Sequence, residues 1–163
     1  MEKGDEFLRS QVNNAVAQHH NFLESLKSHA ASAVDPRFRA LCEKYIPMMA
    51  QHQAMLEQYQ RSLGGGEGKL KRALAGVLET GKEWLDASLG DDYLCLVGDA
   101  VLARQGEDMF RTFREAGRIL GDDSMRRVGE EGEQGHDQYV QDANRLVLQL
   151  FVENVQAGVA TKG

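Results

Sequence analysis

Cysteine is scarce: Cys42 and Cys95 are the only two in 163 residues, and no CxxC pair exists. That spacing excludes a disulfide framework and a cysteine zinc site, and each thiol reads as a small apolar residue. Long apolar runs are missing as well. Nothing approaches the roughly 20 consecutive apolar residues of a membrane span, and the opening MEKGDEFLRS has no apolar signal core, so the expectation is a cytoplasmic protein with no membrane partner. Net positive charge is lacking too, since the formal charge of −6 offers no general attraction to nucleic acid. Lys69, Lys71 and Arg72 form a small basic cluster that reads as solvated surface. Gly64-Gly65-Gly66-Glu67-Gly68 lacks the Lys-Ser or Lys-Thr of a phosphate loop, and no preceding stretch alternates as a strand would. Prolines number two, so little interrupts helix formation.

What is present is helical periodicity. Leu8, Val12, Val16, His19, Leu23 and Leu26 recur at about 100° per residue, as do Phe38, Leu41, Tyr45, Met49, His52, Leu56, Tyr59 and Leu63. A third long stripe reads Leu94, Gly98, Val101, Gln105, Met109, Ala116 and Ile119; a fourth reads Met125, Gly129, Gly132, His136, Val140, Ala143, Val147 and Leu150. Asp35-Pro36, Gly90-Asp91-Asp92 and Gly121-Asp122-Asp123-Ser124 carry the turn and capping chemistry of helix boundaries. Pro47 falls inside the second stripe and predicts a kink about one turn before His52. The glycine-rich stretch opens a connection over about 64–90, with a shorter amphipathic segment through Leu70, Leu74, Trp84 and Leu85. The fold class expected is all-α: one domain over 1–163, two helical hairpins joined by a long crossover with a short fifth helix, and a flexible tail over 156–163.

Each long stripe holds one polar group near its centre: His19, His52, Gln105 and His136. His19 to His52 spans 33 residues and Gln105 to His136 spans 31, so the two hairpins place these groups at similar depth. Neutral imidazoles there suit zinc, copper, nickel or ferrous iron, with Glu133 as an oxygen donor. The competing reading is a metal-free polar core in which Gln105, Tyr45, Tyr59 and Tyr139 satisfy the histidines. His20 and His29, off the stripe centres, read as surface residues, and the methionines read as packing rather than a haem box.

The segments His19-His20-Asn21-Phe22-Leu23, Met49-Ala50-Gln51-His52 with Leu56-Glu57, Gly106-Glu107-Asp108 and Glu133-Gln134-Gly135-His136 resemble the ferritin-like superfamily, over roughly residues 5–155. The general pattern is similar to small bacterial members, some stress-associated and mostly without a known activity. The resemblance implies a four-helix bundle with a di-metal site of two single glutamates and two Glu-x-x-His pairs. Here only Glu133-x-x-His136 is intact; Met49 stands where a Glu belongs, and Glu24 and Glu107 fall off the inward face, leaving open whether Gln105 or Glu107 faces the core. The depleted set implies no efficient ferroxidase and tips the expectation toward a non-enzymatic, stress-associated or structural protein without a metal. The alternative is a protein that holds a divalent metal, iron or zinc, on His19, His52, Gln105, Glu133 and His136. Phe151, Val152 and Val155, beyond the reach of the other helices, together with Trp84 predict a homodimer.

Overall fold

A computed structural model describes residues 2–64 and 91–160. Four helices account for nearly all of them: α1 (Glu2–Ser32), α2 (Pro36–Ser62), α3 (Asp92–Leu120) and α4 (Asp123–Ala160). Their boundaries follow from the residues anticipated. Asp35 caps α2 by accepting from the Arg37 N–H, with Pro36 in the first turn where no donor is needed. Asp91 accepts from the N–H groups of Tyr93 and Leu94 to start α3. Gly121 ends α3 in the left-handed region at φ 71°, and the Asp122 carboxylate accepts from the Met125 N–H to start α4. α2 continues through the exposed Pro47 as one helix. The crossover helix expected between α2 and α3, Trp84 included, lies outside the described residues.

Cross-helix bonds set the directions. Tyr59 Oη donates to Asp122 at one end of α2, and Arg37 pairs with Glu153 at the other, so α2 and α4 are antiparallel. Ser25 and His29 near the end of α1 both reach Asp99 near the start of α3. α2 and α3 therefore begin at the same end of the bundle, and the chain between Gly64 and Asp91 joins opposite ends.

The interior has two apolar halves. One gathers Phe22, Leu26, Phe38, Met49, Leu96, Ala103 and Tyr139; the other gathers Val12, Val16, Leu56, Phe110, Phe113 and Met125. On each helix one residue stands between them: His19, His52, Gly106 and His136. The stripes expected on α1, α2 and α4 face this core, but the one expected on α3 does so only in part, through the buried Gly98 and the half-buried Met109 and Ala116. Leu94, Val101 and Ile119 are exposed, and Gln105 is exposed with them. The buried face instead runs Leu96, Asp99, Ala103, Phe110, Phe113 and Gly117. α3 carries two apolar stripes, and the one with both phenylalanines removes more apolar area from water.

Candidate metal centre

His19, His52 and His136 meet in the layer between the two apolar halves. All three are buried, and one nitrogen from each ring lies within 4.8 Å of the others. Ring centroids are 5.2 Å apart for His19 and His136, 5.8 Å for His52 and His136, and 6.2 Å for His19 and His52. Phe22 and Phe110 enclose them, with Phe110 5.0 Å from His136 and 5.7 Å from His19.

α3 contributes no ligand to this layer; it contributes room. A Cβ on Gly106 would stand 2.6 Å from His136 Cδ2, so any side chain there would collide with the imidazole. Gly135 has the same relation to the His52 ring. The two glycines let α3 and α4 close over the cluster.

Hydrogen bonds fix two of the tautomers. Gln53 Nε2 donates to Glu57 Oε1 at 2.9 Å, which turns Gln53 Oε1 toward His19 Nδ1 at 2.8 Å. A carbonyl oxygen only accepts, so His19 Nδ1 carries the proton and Nε2 the lone pair. His136 Nδ1 donates to the Gly132 carbonyl at 2.8 Å, which leaves its Nε2 with a lone pair too. Neither Nε2 has a partner, and His52 Nδ1 has none either. Burial pushes the pKa values of His19 and His52 down from 6.5 to about 4, and that of His136 well below the usual imidazole value. Nearby imidazoles add repulsion at His19 and His136. At neutral pH the layer holds three neutral rings. A donated Nδ1–H with a free Nε2 lone pair is the form in which metal-binding histidines are commonly held.

The other residues expected here lie elsewhere. Gln105 points to solvent. Glu133 is on the outer side of α4, paired with Arg111 at 2.9 Å and Arg114 at 2.5 Å, and faces a surface groove of about 320 Å³. Glu107 is in the same network through Arg111. Two arginines supply a closer partner for Glu133 than the core does, which Glu-x-x-His spacing cannot reveal. Of the tyrosines expected to serve the histidines, Tyr45 donates instead to Asp142 at 2.6 Å and Tyr59 to Asp122 at 2.8 Å, while the buried Tyr139 hydroxyl bonds to no histidine and has no partner.

Gln53 was not foreseen; its signal was its place beside His52, four residues before Glu57. His29 was expected on the surface and is buried, bonded through Nδ1 to Asp99 at 2.7 Å, while Ser25 donates to the other Asp99 oxygen at 2.5 Å. Burial raises the Asp99 pKa and the bonds from His29 and Ser25 oppose that rise. A lone Asp inside the apolar run of α3 was the available hint. This cluster is no nucleophilic triad, since the serine and the histidine both bind the carboxylate rather than each other.

No family model, no curated protein and no solved structure matches the chain. The donor set does not fit a di-iron carboxylate centre, because the cluster holds no carboxylate, the buried Met49 is a thioether, and Glu133 and Glu107 are held by arginines. It fits a single ion held by imidazole.

Proposed function

We propose that this protein is a ferritin-like bundle that binds one metal ion on His19, His52 and His136 and has no ferroxidase chemistry. The observation that carries this reading is that three buried rings each with an unpartnered nitrogen form one group, whereas His29, whose Nε2 is also unpartnered, lies outside it. A metal-free core would leave each of the three unsatisfied at about 1 to 3 kcal/mol apiece. The side chains that reading relied on, Gln105 and the three tyrosines, do not serve the rings. An ion bonded at about 2.0 to 2.1 Å holds its ligand nitrogens about 3.5 Å apart, so the rings need close by only about 1 Å. Two hairpins joined by a long connection support the ferritin-like reading, and the lack of a second ligand group among the described residues supports a binding rather than an oxidising role.

The protein should also self-associate as a homodimer. Leu148, Phe151, Val152 and Val155 recur at helical spacing on α4 and are all exposed, a stripe suited to a second copy of itself across a two-fold axis. The metal reading is tested by elemental analysis of protein purified without a polyhistidine tag. About one ion per chain in the wild type and none in the His136→Ala variant is the expected result. Wild-type protein that takes up no metal from any of iron, zinc or copper would refute it.

A further inference from the structure

Charge and donor number at the histidine layer narrow the identity of the ion. Among the described residues the ligand group contains three histidines and no carboxylate. The carboxylates nearest in sequence or packing are engaged outside this group: Glu133 by Arg111 and Arg114, Asp99 by His29 and Ser25, and Glu57 by Gln53, one amide removed from His19. A dication bound here keeps its full charge in an apolar surrounding, and the solvation lost on burial grows as the square of the charge, about four times greater for a dication than for a monocation. Coordination number points the same way. Zinc takes four ligands and, with three from protein, holds water or hydroxide at the fourth position. Among the described residues the rings that close over this layer are Phe22 and Phe110, which neither ligate nor offer a lone pair to such a water. A monovalent d¹⁰ ion accepts three neutral donors in a plane and needs no anion.

We infer that the centre formed by His19, His52 and His136 is a copper(I) site, three-coordinate and closed to water. This rests on the metal-binding reading above and adds the oxidation state and identity of the ion. Copper held this way stays reduced, because copper(II) would bring back the uncompensated second charge and prefers four or more ligands in a tetragonal arrangement.

The test uses full-length, tag-free protein under anaerobic conditions, titrated with copper(I) against a chromophoric copper(I) chelator and, separately, with zinc(II) against a zinc chelator. One copper(I) per chain is expected, bound at least 100-fold more tightly than zinc(II), and without an electron paramagnetic resonance signal. Copper(I) also binds thiols, so a Cys42→Ala/Cys95→Ala double variant is included, and it should retain the ion. His52→Gln and His136→Gln, each checked for helix content by circular dichroism, should lose it, whereas His20→Gln should keep it. Histidine-dependent zinc binding as tight as copper(I) binding would overturn the copper assignment and leave the metal reading standing. Loss of copper in the cysteine variant would also overturn it. If neither ion binds, the copper assignment falls, and the metal reading falls with it unless iron binds.

Discussion

At the scale of the residue, the interior polar groups fall into one cluster around a fully bonded carboxylate, Asp99, beside which His29 Nε2 stays unpartnered, and the histidine layer, whose three rings each carry an unpartnered nitrogen. Asp99 is 1% exposed and both its oxygens are engaged. Asp99→Ala should therefore leave Ser25 and His29 unpartnered and lower stability by about 2 to 4 kcal/mol in urea denaturation, with no effect on metal content. The histidine layer behaves differently with pH. In metal-free protein, His19 and His52 have folded pKa values of about 4 against 6.5 in the unfolded chain. Between those values the unfolded state binds more protons, so stability rises with pH across the window and is lost on acidification. Urea midpoints of the metal-free protein should fall steeply between pH 6.5 and 4 and change little between pH 7 and 8. A flat profile through the acid window would mean that the rings are not buried as described.

At the scale of the helix, close approach of α3 and α4 is what makes the layer possible. Gly106→Ala places a methyl group against the His136 imidazole and should cost about 1 to 3 kcal/mol as well as weaken metal binding, read by urea denaturation and metal titration. Gly4, whose added Cβ would meet nothing within 4 Å, is the control, and its change to Ala should be neutral or stabilising by up to about 1 kcal/mol through helix propensity. Element type and caps were legible because Asp35, Asp91, Gly121 and Asp122 are local signals that tertiary contacts did not override. Three of the four inward faces were legible for the same reason: within the bundle α1, α2 and α4 each have a single apolar stripe, the exposed one on α4 lying toward its far end. α3 has two, and periodicity cannot say which of them packs; that choice was made by Phe110, Phe113 and the buried Asp99. The error then passed to the site, where Gln105 was expected and Gly106 stands. A glycine that makes room for a ligand on the facing helix leaves no periodic trace.

Across the whole molecule, α4 is the longest helix at 38 residues, about 57 Å at 1.5 Å per residue. It outruns its neighbours past Glu153, where Arg37 marks the start of α2. Phe151→Lys with Val155→Lys should shift the protein to monomer in sedimentation velocity, leaving helix content and metal stoichiometry unchanged. A wild-type chain that is monomeric at high concentration would remove the dimer. The three clustered histidines were legible as stripe centres, whereas Glu133 was misplaced because its arginine partners lie on α3, in register only once the two helices pack.

The central claim is that three imidazoles from three helices hold one ion, and thermal unfolding with and without metal tests it most directly. A ligand at 100 times its Kd stabilises the form it binds by about 2.7 kcal/mol. Metal should therefore raise the Tm of the wild-type protein by several degrees and leave that of folded His52→Ala unchanged. An equal rise in both proteins, or none in the wild type, would contradict the account.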